Sequence, residues 1–210
     1  MVAAAKIGFK VPATHISASP NAIRAFRSEV GPLVFKTVSH PSISCDGKNH
    51  VVYTSEVLDA GLFHPEQEQR LRCCLSLFQQ KLPKQLEIRV TVVCREVFAA
   101  EIHSQISPKT RIDWRKYDIA NTPHYPHQLP KDVEEKCLSL TRHFGLDFNT
   151  IDLILDPDGR YWFLEMNPNG LWAWIESARQ LQGYCRHGRK HFGVNRADTR
   201  KIFKDHALNY

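Results

Sequence analysis

The chain has 210 residues, 42% of them hydrophobic and 24% charged, with a formal net charge of +6. That length holds one or two domains with a real core, and the composition is that of an ordinary globular protein. No stretch approaches the roughly 20 consecutive apolar residues of a membrane helix. Met1-Val-Ala-Ala-Ala-Lys6 also lacks the long apolar segment of a secretory signal, so a cytoplasmic location is expected. The six cysteines (Cys45, Cys73, Cys74, Cys94, Cys137, Cys185) form no C-x-x-C pair and the eleven histidines are scattered, which argues against a disulfide framework or a zinc site. The positive charge is local. Residues 184–210 carry seven Lys or Arg against two Asp, whereas residues 1–183 carry 21 against 20 acidic residues. The excess belongs to a tail, and a nucleic-acid partner is not expected.

In chain order, Gly8-Phe-Lys-Val-Pro12-Ala-Thr14 reads as a short extended segment. Ser19 is placed to cap a helix with Pro20 at its first position; Ala22, Ile23, Ala25, Phe26 and Val30 give an apolar face, and Gly31 ends it. Residues 32–36 read as a buried strand bearing one lysine, Lys36. Residues 37–50 are polar and read as a loop, 51–54 as a short strand returning from it, 66–78 as helix, and 78–84 as a strand and hinge. Leu86–Val93 alternates cleanly, with Ile88, Val90 and Val92 on one face and Glu87, Arg89 and Thr91 on the other; a turn at 94–97 leads into a partner strand ending near His103. Residues 117–129, with two prolines, read as a loop. Residues 130–144 read as a helix whose buried stripe is Val133, Cys137, Leu138, Leu140 and Thr141, stopped by Gly145.

The most informative stretch comes next. Residues 151–155 and 161–164 are apolar strands joined by the tight turn Asp156-Pro-Asp-Gly159. The second strand ends Glu165-Met-Asn167, and residues i and i+2 of a strand share a face, so two oxygen ligands stand side by side. Asp152 lies across the hairpin from them. Two carboxylates and a carboxamide suit a hard cation that also holds phosphate, Mg²⁺ or Mn²⁺. Pro168-Asn-Gly170 then turns the chain, and Trp172-Ala-Trp174 begins a packed, helical segment.

Asp152…Glu165-x-Asn167 resembles the metal-binding signature of the ATP-grasp superfamily, in its RimK-like branch. The continuation N-P-N-G-x-W-A-W-x-E, the strand pair L-E-I-R-V-T-V-V…V-F-A-A-E-I and the motif Asp113-Trp114-Arg115 resemble the microviridin-type peptide maturases of that branch. The resemblance implies an α+β ATP-grasp fold, two α+β lobes clasping the nucleotide, the smaller at about 18–80 and the larger at about 81–183, with 184–210 an unassigned basic tail. It implies ATP and Mg²⁺ (or Mn²⁺) as cofactors, with Asp152, Glu165 and Asn167 on the metal and Lys36 on the phosphates. Gln79, Lys81 and Leu82 would pass alongside the adenine, largely through backbone groups, and Lys84 falls on the family's lysine before the next strand. Lys48 is either a second phosphate contact or an exposed loop lysine. Arg89 would face the transferring phosphoryl group, the alternative being a cross-strand partner such as Glu101; Arg115 would hold the acyl phosphate or an acceptor carboxylate.

The implied activity is ligation: a peptide Asp or Glu side chain is activated as an acyl phosphate and closed onto a hydroxyl or amine as an ω-ester or ω-amide. The implied partner is a precursor peptide, with no membrane partner and room for a homodimer. The alternatives are a RimK-like ligase adding single amino acids, a truncated ATP-binding remnant without activity, and a polyanion binder acting through the tail. Family members also carry an α/β domain ahead of the first segment. Only seven residues precede Gly8, so the chain reads as the ATP-binding half of a longer ligase, a fragment or a truncated gene product.

Overall fold

The two longest strands are β7 (Leu86–Val93), the alternating segment expected from the sequence, and β10 (Phe148–Leu155), which begins three residues before the apolar strand expected over 151–155; they pair antiparallel along their whole length, from Phe148 opposite Val93 to Leu155 opposite Leu86. They sit in a computed structural model that describes residues 1–38, 42–45, 48–58, 64–116 and 118–169. The Trp172–Trp174 helix and the basic tail therefore lie outside the described residues.

The elements are α1 (Val2–Ile7), β1 (Thr14–Ser17), α2 (Pro20–Val30), β2 (Leu33–Lys36), β3 (Ser42–Cys45), β4 (Lys48–Val51), β5 (Ser55–Glu56), α3 (Pro65–Arg72), β6 (Ser76–Gln80), β7, β8 (Glu96–Ile102), β9 (His124–His127), α4 (Lys131–His143), β10 and β11 (Tyr161–Asn167). They fall into two units that are discontinuous in sequence. One comprises residues 12–83 and 104–121; the other takes the first eleven residues, 84–103 and the chain from Thr122 onward. The contiguous ranges drawn from the sequence, about 18–80 and 81–183, do not contain these two crossings.

In the second unit the sheet runs β11-β10-β7-β8-β9, all antiparallel. Ile88, Val90 and Val92 of β7 and Ile151 and Leu153 of β10 make the middle of one face apolar, and α4 covers it with Val133, Cys137 and Leu140, all at most 5% exposed. Leu138, expected in that stripe, packs at its edge. Burial pushes the Cys137 thiol up to about 12, so it is a core group and not a nucleophile. Helix α1 was not legible in the sequence; Gly8 ends it at φ 100, a left-handed conformation that favours glycine, and turns Phe9 into the core against Phe163. Strand β9 was also missed, since residues 117–129 read as a loop. Its His-Tyr-Pro-His sequence carries a proline, which an edge strand tolerates.

β9 and β11 lie at opposite edges of this sheet, yet His127 Nε2 and Tyr161 Oη are 2.8 Å apart. The twist of a sheet brings diagonal corners together over one face. His127 donates from Nδ1 to Glu101 (3.1 Å), and His103 donates from Nε2 to the other oxygen of the same carboxylate (3.0 Å). Burial alone would raise the Glu101 carboxyl, but the hydrogen bonds and charge of the two histidines outweigh it and hold it below its ordinary value. Glu101 is thus spoken for, on the face opposite Arg89.

The first unit holds the sheet β1-β6-β2-β5, with the small hairpin β3–β4 inside the segment read as loop. Ser19 caps α2 through its side chain and Pro20 opens it, as expected; Ile23 is fully buried against Leu33 and Phe78, whereas Ala25 is exposed. The helix read over 66–78 is a correction. Helix α3 stops at Arg72, and residues 76–80 form the central strand β6, because Phe78 fills the core beneath α2.

Two predictions test this architecture. Leu153→Ala should cost about 2–5 kcal/mol in urea unfolding, the range for a fully buried aliphatic side chain; a loss well under 1 kcal/mol would contradict its place in the core. The second concerns Asp156, which anchors the β10–β11 turn by accepting from the backbone and Nε of Arg160 and from Trp162 Nε1 at 2.7–2.9 Å. Burial would raise its carboxyl, but these bonds bring it down to about 2. A depressed carboxyl stabilises the fold above its unfolded value, near 4, and that stabilisation disappears as pH falls through about 2. Asp156→Asn should therefore melt earlier than wild type at pH 7, and the gap should close toward pH 2 in thermal scans.

Candidate functional site

Opposite residues in an antiparallel ladder share a face. Arg89 on β7 faces Asp152 on β10, and Asp152 faces Glu165 on β11, so one row across three strands reads Arg–Asp–Glu. The adjacent row reads Thr91, Thr150 and Asn167. The expectation that Asp152 lies opposite the Glu165–Asn167 end of the hairpin is met in register. Arg89 and Asp152 are 7% and 9% exposed, while Glu165 and Asn167 stand exposed beside them. The charged face is thus anchored at its buried end and open at the other.

Arg89 Nη1 donates to both Asp152 oxygens at 2.7 Å. The alternative partner for Arg89, Glu101, is ruled out by parity: Arg89 lies opposite Ala100, and Glu101 points to the other face opposite Ile88. Glu87, two residues before Arg89 and on the same face, accepts from Lys84 Nζ at 2.8 Å, with both side chains about one-tenth exposed. Glu87 is not among the residues expected at the site; its one signal is its place on the polar parity of β7 with Arg89 and Thr91.

The placement of Glu165 depends on an irregularity. The β10–β11 register shifts between Asp152, opposite Glu165, and Leu153, opposite Phe163, leaving Leu164 as the extra residue of a bulge. In a regular strand Phe163 and Glu165 would share a face. The bulge lets Phe163 enter the core at 3% exposure while Glu165 joins Asp152. Asn167 Oδ1 accepts from the backbone N–H of Asn169 at 2.9 Å, which fixes the carboxamide at the strand's end.

Among the described residues no three His, Cys, Asp or Glu side chains form a group that would hold a metal. The set here is instead two carboxylates and a carboxamide, all oxygen. Mg²⁺ keeps most of its water or substrate oxygens and takes only one or two carboxylates from a protein, so the residues fit it.

The remaining expected site residues lie in the other unit. On its sheet Leu33, Phe35 and Phe78 face the helices, and the opposite parity presents Thr14, Gln79, Val34 and Glu56 in one row with Leu77 and Lys36 in the next. Gln79 donates to Thr14 Oγ1 at 3.0 Å, Lys81 pairs with Glu56 at 2.6 Å, and Leu82 is buried at 8%. Lys36 is half-buried on β2, opposite Leu77. Lys48 begins β4, and its side chain lies outside the described residues.

Arg115 is held by its own motif. Asp113, 4% exposed, accepts from Arg115 N, Nε and Nη2 and from Thr54 N, at 2.8–3.0 Å. Burial would raise this carboxyl, but the Arg115 guanidinium and the backbone donors hold it below the usual carboxylate range. Neither Asp113 as an anchor nor Thr54 as a contact, 59 residues away, was legible as part of the site.

No family model and no curated protein matches the chain. Solved structures do. A RiPP-associated ATP-grasp ligase of Chryseobacterium gregarium, in complex with ADP and a leader and core peptide, is 36% identical at a TM-score of 0.76, over 84% of this chain and 53% of that one. The macrocyclase MdnC of Microcystis aeruginosa, bound with its precursor peptide MdnA, is 36% identical at 0.71, over 84% and 54%. The ligase PsnB, solved with a precursor variant, Mg and ADP, shares the fold at 21% identity and 0.65, over 84% and 51%. The chain spans about half the length of the solved chains it matches. Among the described residues no helix is long and apolar enough to cross a membrane. With the signature residues in one row on a sheet of this topology, the chain has the ATP-grasp fold and is similar to the ligases of that fold that are associated with ribosomal peptides.

Proposed function

We propose that the chain is the nucleotide- and metal-binding part of an ATP-dependent ligase that crosslinks a ribosomal precursor peptide, working in the cytoplasm where its ATP is supplied. The observation that carries this reading is the row Arg89–Asp152–Glu165 with Asn167 beside it. The ATP-grasp domain runs to about residue 183 in this reading.

Asp152, Glu165 and Asn167 would hold Mg²⁺ (or Mn²⁺), which would supply positive charge against that of the phosphates. Lys36 neutralises phosphate oxygens as a compact ammonium on a strand. The backbone along Gln79, Lys81 and Leu82 meets the base, and Lys84, oriented by Glu87, adds a second ammonium. A peptide side-chain carboxylate oxygen attacks the γ-phosphorus, the bond to the β–γ bridging oxygen breaks, and ADP leaves an acyl phosphate. A hydroxyl or amine then attacks the acyl carbon and gives up its proton as inorganic phosphate departs, leaving an ester or an amide. Arg89 stabilises the phosphoryl oxygens, and Arg115 grips the acyl phosphate or acceptor carboxylate through its fork.

Arg89→Ala is a poor first test, because it strands a buried Asp152 and is expected to cost about 3–5 kcal/mol of stability. Glu165 and Asn167 are exposed, so Glu165→Ala with Asn167→Ala should leave the melting temperature close to wild type. In calorimetry the wild-type chain should bind ATP more tightly with Mg²⁺ than without it, and the double variant should lose that Mg²⁺-dependent gain, by about tenfold or more. Lys36→Ala should weaken ATP binding with or without the metal. A double variant that retains the full effect of Mg²⁺ would take the metal away from these residues and leave the proposal without its central observation.

A further inference from the structure

Arg115 is expected to meet an anion, yet a half-exposed arginine has many rotamers, and a guanidinium that wanders recognises little. Its side chain is 39% exposed, but its near edge is not loose. Nε donates to Asp113 Oδ1 at 2.9 Å and Nη2 to Asp113 Oδ2 at 2.8 Å, a side-on fork against one carboxylate. Nη2 also donates to Thr54 Oγ1 at 3.3 Å. The same carboxylate takes the Arg115 backbone N–H at 3.0 Å and the Thr54 backbone N–H at 2.8 Å. A carboxylate offers about four lone-pair positions, and these four N–H donors use them. Asp113 therefore has no capacity left to serve as a metal ligand or a general base.

We infer that Asp113 and Thr54 are positioning residues. They clamp the Nε–Nη2 edge of Arg115 and so fix the direction in which the guanidinium faces the oxygens of an acyl phosphate or a carboxylate. This rests on the reading of Arg115 as the anion contact. The clamp joins the stretch after β4 to the Asp-Trp-Arg turn, and both ends lie in the same unit. Part of the entropy of ordering an arginine side chain is thereby spent in folding and not in binding.

The test uses the whole chain with Mg·ADP present and acetyl phosphate as the probe, its affinity read by ³¹P NMR titration, together with solvent exchange of the Arg115 Nε–H in the unliganded protein. Wild type should show a slowly exchanging Nε–H. Asp113→Asn should speed that exchange and weaken acetyl phosphate by about tenfold, the scale of a charge-assisted hydrogen bond. Thr54→Val, which keeps the backbone donor and removes only the hydroxyl, should do both to a smaller extent without touching the fold. Arg115→Ala should weaken the probe as much as Asp113→Asn, and Arg115→Lys should not restore it, since an ammonium has no fork.

The deciding measurement is the double variant. If Asp113 acts through Arg115, adding Asp113→Asn to Arg115→Ala changes nothing further. A further loss of similar size there would make Asp113 a general structural residue and overturn the inference, as would wild-type exchange and affinity in both Asp113→Asn and Thr54→Val. If Arg115→Ala binds acetyl phosphate like wild type while Asp113→Asn still frees the Nε–H, the clamp exists but the anion reading of Arg115 fails, and the positioning role falls with it.

Discussion

Arg89 and Asp152 meet inside the five-stranded sheet at 2.7 Å, on its two longest strands and almost out of solvent. Either charge left alone at that depth would cost several kcal/mol, so the two must stay opposite each other. Strict alternation puts Ile88, Val90 and Val92 on the reverse of β7. A slip of one residue between β7 and β10 would drive Arg89 into that core and strand Asp152. The pair therefore sets the register of the longest ladder, and with it the places of β8 on one side and β11 on the other. The polar face that results is the candidate site, and the apolar face is the floor on which α4 rests. One ion pair divides the unit into chemistry and core.

The same device recurs. Lys84 is held by Glu87, Lys81 by Glu56 and Arg115 by Asp113. Each of these cations, expected to face phosphate, base or carboxylate, comes with a carboxylate that orients it. A bare basic pocket would bind anions more strongly but less selectively, and its mutual repulsion would cost stability. Pairing each cation keeps the unliganded face close to neutral and the donors fixed, so little reorganisation remains when an anion arrives. The most buried pair, Arg89 with Asp152, has both partners on strands, where neighbouring backbone holds them.

What was legible in the sequence was whatever repeats locally. The alternation of Leu86–Val93, the Asp156–Gly159 turn, the cap at Ser19 and the stripe of α4 are period-2, turn and period-3.6 signals complete within a few residues. The polar residues Asp152, Glu165 and Asn167 were legible together because their two strands are joined by a short hairpin. The rest needed partners far away. Helix α1 is six residues, half of them alanine, that mean nothing until Ala4 and Phe9 find the core. Strand β9 is defined by pairing with β8, and β6 looks helical until Phe78 is placed under α2. Thr54 enters the Arg115 clamp across 59 residues of sequence, a distance no local pattern spans.

The bulge at Leu164 stands between these cases, because its signal was present as a conflict. Phe163 and Glu165 have the same parity in a run read as regular strand, yet one belongs with Leu153 in the core and the other with Asp152 on the polar face. A regular strand satisfies only one of them: it exposes a phenyl ring or buries a carboxylate. The extra residue is the smallest change that satisfies both, at the cost of a local break in the ladder. Where local rules disagree in a sequence that otherwise obeys them, the disagreement marks a position constrained by something besides folding. Glu165 is such a position: the core's demand on Phe163 and the polar row's demand on Glu165 are reconciled only by giving up regularity between them.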